Sequence, residues 1–118
     1  MESLVLQKSM DFAVRIVRLY QFLCTEKKEY VLSKQLLRSG TSVGANLREA
    51  KYAQSTSDFI SKNSIAMKEI SETEYWLELL FRTGYLTEKE YNSMNTDCSE
   101  IAKILTSIIK TTKERNKV

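Results

Sequence analysis

The chain has no histidine and no proline, only three glycines and only two cysteines in 118 residues. Each shortage excludes something. Without histidine there is no Ser-His or Cys-His nucleophile pair, no Glu-x-x-His di-iron motif and no histidine-dependent ribonuclease chemistry. Without proline, and with so little glycine, a sheet protein built on many tight turns is disfavoured and an all-helical domain favoured. Cys24 and Cys98 form no Cys-x-x-Cys pair. They read as buried, reduced thiols of a cytosolic protein, with a disulfide between them left open. No apolar run nears the ~18 residues of a membrane span. The stretch Met1-Glu-Ser-Leu-Val-Leu-Gln-Lys8 lacks the order of a signal peptide. The expectation is a cytoplasmic protein that does not contact the membrane.

What is present supports a folded domain. The hydrophobic fraction is 42%, and 118 residues suit a single domain over residues 1–118. Net charge is +3, from 18 basic and 15 acidic residues, which permits nucleic-acid binding without demanding it. The charge is uneven: residues 31–55 carry Lys34, Arg38, Arg48 and Lys51 against Glu49 alone, whereas residues 56–84 are acidic on balance.

Apolar spacing predicts four helices, over about 4–26, 32–53, 58–83 and 88–114. In the first, Phe12, Ile16, Leu19 and Leu23 follow 3–4 spacing, and Ala13, Val17 and Tyr20 widen the stripe. Thr25-Glu-Lys-Lys-Glu29 is a polar connection, and Ser33 is a candidate cap of the second helix. Ser55 or Ser57 can cap the third, whose stripe is Phe59, Ala66, Ile70, Leu77 and Leu80. Gly84 follows as its left-handed stop. Thr87 and Glu90 form a capping box for the fourth, which has a regular seam of Tyr91, Met94, Cys98, Ile101, Leu105, Ile108 and Thr112. Short connections make neighbouring helices antiparallel, so the expected fold is all-α, an up-down-up-down four-helix bundle.

The second helix carries the most information. It holds two of the three glycines, each costing ~1 kcal/mol relative to alanine in a helix. At 100° per residue it divides into three faces. Leu36, Gly40, Val43, Leu47 and Ala50 form an apolar stripe. Beside it lie Ser39, Ser42, Asn46 and Glu49, a small and polar seam; with Gly40 and Gly44 these are the candidate residues for setting the register of a helix or subunit interface. Lys34, Arg38, Arg48 and Tyr52 form a basic face on the other side.

The run Gln35-Leu-Leu-Arg-Ser-Gly-Thr-Ser-Val-Gly-Ala-Asn-Leu-Arg-Glu49 resembles the signature of small bacterial four-helix-bundle proteins named for an open reading frame in intervening sequences of some 23S ribosomal RNA genes. The likeness extends through Lys8-Ser-Met-Asp-Phe-Ala-Val-Arg-Ile-Val17, Ser57-Asp-Phe-Ile60, Ala66-Met-Lys-Glu-Ile-Ser-Glu-Thr-Glu-Tyr-Trp-Leu77 and Gly84-Tyr-Leu86. One departure stands out: the family's common Asn-Ile-Ala-Glu-Gly is here Asn46-Leu-Arg-Glu-Ala50. The resemblance implies an up-down bundle assembling as a ring-shaped homopentamer. It also extends to accessory proteins of diversity-generating retroelements, which implies a basic surface for RNA or DNA and a protein partner such as a reverse transcriptase. Most members have no established activity.

Two readings of the basic face stand side by side. Lys34, Arg38, Arg48 and Tyr52 are either an ordinary solvated face, paired with acids of a neighbour, or a phosphate-binding track in which arginines grip phosphates and Tyr52 stacks on a base. Continuity of charge decides between them: acids of the third helix neutralising the arginines would favour a protein partner. Asn46 and Glu49 lie on one face, with Glu72 and Glu74 available on the third helix, but as a catalytic cluster they lack a nucleophile or metal-ligand spacing. No catalytic residue, metal or cofactor is assigned. The expected function is that of a non-enzymatic, oligomeric nucleic-acid-binding accessory or scaffold protein; the alternative is a protein-interaction scaffold without nucleic-acid contact. Tyr75, Trp76, Phe81 and Tyr85 read as core packing, and the tail from Lys110 as a solvated basic end.

Overall fold

The computed structural model describes residues 3–116, which form four helices: α1 (Leu4–Thr25), α2 (Leu32–Lys51), α3 (Thr56–Arg82) and α4 (Glu88–Arg115). α2 ends two residues before its expected end, and α3 begins two residues early. Consecutive helices are joined by short connections and pack against one another as an up-down bundle, giving a rod of 53 × 24 × 21 Å. α2 packs closely on both α1 and α3, and α3 on α4, whereas α1 and α4 meet only lightly. The light seam is bridged by polar groups: Lys8 Nζ to Glu100 Oε2 at 2.9 Å, and Arg15 to Asp97 Oδ2 at 2.6 Å and to Ser93 Oγ at 2.8 Å.

The core runs the length of the rod. It is built from Phe12, Ile16 and Leu23 of α1, Leu36, Val43 and Leu47 of α2, Ala66, Ile70, Leu77 and Leu80 of α3, and Met94, Cys98, Ile101 and Leu105 of α4. Val17, expected to widen the α1 stripe, instead turns outward and is 38% exposed. Both cysteines are free thiols, and burial pushes the Cys98 thiol up to about 12. Trp76, Phe81 and Tyr85 pack against the core, Phe81 stacked on Tyr91 with centroids 4.9 Å apart, while Tyr75 lies outside, edge-on to Trp76.

Helix ends follow local chemistry. Ser3 and Ser55 accept from the backbone of Leu6 and Asp58 at 3.3 and 3.0 Å, and Thr87 and Glu90 form the full capping box. Gly84 adopts φ 88° and stops α3, with Tyr85 N–H donating to the Leu80 carbonyl at 2.9 Å. The start of α2 departs from expectation. Ser33 is not its cap but lies buried in its first turn. The cap is the Glu29 carboxylate, which reaches forward to accept from the backbone of Val31, Leu32 and Ser33 at 3.2, 3.0 and 2.7 Å. Burial of Glu29 opposes ionisation, yet these N–H donors and the Ser33 hydroxyl overcome it and hold the carboxyl below its ordinary value.

Candidate interaction surfaces

α2 lies between two neighbours, and that decides what its faces do. The apolar stripe, Leu36, Gly40, Val43, Leu47 and Ala50, is wholly buried. Gly40 sits against Ile16 of α1 so closely that an added Cβ would fall 2.7–2.9 Å from three side-chain carbons. Gly44 faces Ser9 with more room, 3.4–3.6 Å. The G-x-x-x-G spacing therefore serves the α1–α2 contact inside the chain.

The polar seam also works within the bundle. Ser39 is buried, and Thr73 Oγ1 of α3 donates to its hydroxyl at 2.9 Å. Glu49 pairs with Lys62 of α3 at 3.1 Å. Ser42 and Asn46 do not cross to a neighbour here; they donate to the Arg38 and Ser42 carbonyls of their own helix at 2.6 and 2.8 Å. Of the six residues expected to set an interface register, Ser39, Gly40, Gly44 and Glu49 thus meet another helix of the same chain.

The basic face is broken in the middle. Arg38 lies against the acidic side of α3, paired with Glu72 and, at 3.3 Å, with Glu69. Glu72 also accepts from the Trp76 indole N–H at 2.9 Å; the indole and Arg38 together hold this carboxyl below its ordinary value. Lys34 and Arg48 are exposed, about 21 Å apart along the axis on either side of this pair. Tyr52 is 73% exposed at the end of α2, with the Lys51 ammonium 5.6 Å from its ring centroid. Exposed basic groups gather instead at that end of the rod, where Arg48 and Lys51 of α2 and Lys110, Lys113 and Arg115 of α4 share one pole.

The carboxylates weighed as a possible catalytic group do not converge. Glu49 is taken by Lys62 and Glu72 by Arg38 and Trp76, while Glu74 faces the α4 side, within electrostatic reach of Cys98. Desolvation raises the Glu74 carboxyl above its ordinary value. Among the described residues no group of three or more Cys, Asp or Glu side chains could hold a metal ion, and no helix is long and apolar enough to cross a membrane.

Two features escaped sequence reasoning. The outer side of α1 exposes Met10, Val14 and Val17, at 49%, 44% and 38%, in i, i+4, i+7 register. Met10, at one end of the strip, lines a shallow groove of about 250 Å³ whose α2 side is made of Thr41, Gly44, Ala45 and Arg48. Val17 falls on the apolar side of α1 by spacing alone, which hides the strip in the sequence. On α3, Asn63 and Thr73 are buried polar members of the core stripe. The 3–4 spacing of Phe59, Ala66, Ile70, Leu77 and Leu80 leaves gaps at 63 and 73, and those gaps were the available signal.

No curated protein matches the chain. It is similar to a crystallographically solved protein of unknown function from the S23 ribosomal protein family of Bacteroides thetaiotaomicron VPI-5482. The two are 64% identical, the match covers 91% of this chain and 99% of the other, and the TM-score is 0.90. The profile of 23S rRNA-intervening sequence proteins matches residues 1–107, nearly the whole bundle, and the chain belongs to that family.

Proposed function

We propose that this protein is a non-enzymatic scaffold that associates with copies of itself through the outer face of α1 and presents the resulting assembly to a protein partner. The observation carrying the reading is the exposed strip of Met10, Val14 and Val17, with a groove between α1 and α2 at its Met10 end. Apolar side chains contiguous on a helix face and bordered by a groove are a recurrent mark of interaction surfaces. The pairing of Arg38 with Glu69 and Glu72 supports the same side of the choice, because it removes the central cation from a phosphate track along α2. The ring of five implied by the family resemblance is one way for such a surface to close on itself.

Light scattering on the size-separated protein tests this reading. The wild type runs at a multiple of its 13.7 kDa protomer mass, and Val14→Glu with Val17→Glu shifts it to the monomer with the helical circular dichroism unchanged. A monomeric wild type at about 100 μM, or a double variant of unaltered mass, overturns it. Affinity capture from native lysate with and without nuclease separates the partners: a protein retained after nuclease treatment belongs to the scaffold.

Nucleic acid is the second reading, and the basic pole favours it. Lys51, Lys110, Lys113 and Arg115 lie there with the exposed Tyr52 ring, away from the acids that neutralise Arg38. A mobility-shift assay at ~50 mM salt, where phosphate contacts are strong, distinguishes the surfaces. Lys51→Glu with Lys113→Glu abolishes binding at the pole, whereas Arg38→Glu leaves it; absence of any shift with duplex DNA or structured RNA removes this reading.

A further inference from the structure

Where α1 begins and α4 ends, the four helices leave a cavity of about 330 Å³. Its wall is apolar, from Val5, Leu6, Leu47, Phe59 and Ile108, with Asn63 as a polar group buried to 2% exposure. The Asn63 Nδ2 donates to the Phe59 carbonyl at 2.9 Å, which assigns the two ends of the amide. The other end, Oδ1, accepts no hydrogen bond from any described residue. Yet no fully enclosed polar side-chain atom among the described residues is left unbonded. The oxygen is therefore reached from the cavity that Asn63 lines. Ser3 lines the space as well, and its Oγ is engaged by the Leu6 N–H at 3.3 Å as the cap of α1. Lys51 also lines the space, but its ammonium lies over the Tyr52 ring rather than forming an anion clamp.

We propose that this cavity is a binding site for a small, neutral, largely apolar molecule that carries one hydroxyl or N–H donor, with the donor on Asn63 Oδ1. An apolar cavity of about 150 Å³ takes up benzene, so a space roughly twice as large suits a bicyclic molecule such as an indole or a naphthol. Apolar walls disfavour charge, and the acceptor left without a partner selects for the donor. The site lies within one chain and does not depend on the scaffold reading; the monomeric Val14→Glu, Val17→Glu variant binds as the wild type does.

The test is titration of the full chain with indole and with 2-naphthol, each against its counterpart without the donor, 1-methylindole and 2-methylnaphthalene. Amide NMR shifts locate the site and calorimetry gives the affinity. The expected result is saturable shifts at residues 5–6, 47–51, 59–63 and 108, with the donor-free compounds about tenfold weaker, the effect of one buried acceptor left unpaired. In Asn63→Leu the preference for the donor disappears. No saturable shift at millimolar ligand, shifts confined to the Met10–Val17 surface, or equal affinity of the wild type for donor and donor-free compounds overturns the proposal. The ligand comparison is made on the wild type, so it stands even where Asn63→Leu folds poorly.

Discussion

Gly40 and Gly44 share one helix and one motif spacing, but alanine at the two positions moves stability in opposite directions. At Gly44 the new methyl enters ordinary contact with Ser9 at 3.4–3.6 Å. Gly44→Ala then gains the helix preference of alanine, up to ~1 kcal/mol. At Gly40 the methyl meets three carbons on both branches of Ile16, a fully buried and β-branched side chain with little freedom to turn away. Overpacking of a tight core costs ~1–3 kcal/mol and outweighs the same helix gain, leaving Gly40→Ala less stable by roughly 1–2 kcal/mol. Urea unfolding followed by circular dichroism reads both changes. A Gly40→Ala protein as stable as the wild type would show that Ile16 yields, and that the glycine is not required for the approach of α1.

Between elements, the register of α2 on α3 is pinned at Ser39 and Thr73, whose hydroxyls meet at 2.9 Å in a buried contact. Thr73→Val leaves Ser39 with only its long 3.4 Å contact to the Leu36 carbonyl, so the single change costs about 1–3 kcal/mol. Ser39→Ala together with Thr73→Val removes both polar groups and costs less than the two single losses added. A double-mutant cycle by urea unfolding measures the difference; strict additivity would mean that the contact does not couple the helices. The element scale is also where legibility from the sequence divides. Helix number, the core stripe of α2, the Thr87–Glu90 box and the Gly84 stop were all readable, because each rests on chemistry within a few residues of chain. Glu29 as the α2 cap was not, because an acid in a polar turn reads as solvated until the backbone donors converge on it. Asn63 and Thr73 were missed because a polar residue on an apolar stripe looks like a break in the stripe. The role of Arg38 depended on which helix packs beside it, which spacing along α2 alone does not contain.

For the whole molecule, the carboxylates make stability depend on pH with two opposing signs. Glu29 and Glu72 are held below the ordinary value of 4.5. The unfolded chain binds their protons more tightly, so their stabilisation is complete above about 4.5 and is lost as pH falls through their folded values. Glu74 is desolvated and lies above 4.5; its contribution is present below the ordinary value and is lost as pH rises through its folded value. Glutamine at each site separates the effects. Glu29→Gln weakens the α2 cap and is less stable by ~1 kcal/mol near neutrality, a gap that closes as pH falls through the lowered folded value and the wild-type carboxyl itself protonates. Glu74→Gln is more stable than the wild type near neutrality, because no charge is held in the desolvated position, and the two converge as pH falls below about 4.5. Unfolding free energies measured from about pH 3 to pH 7 give both curves. Parallel offsets independent of pH would mean that the two side chains act through packing rather than through their protons. A Glu74→Gln protein destabilised at neutral pH would mean that the charged carboxylate has a favourable partner that outweighs its desolvation.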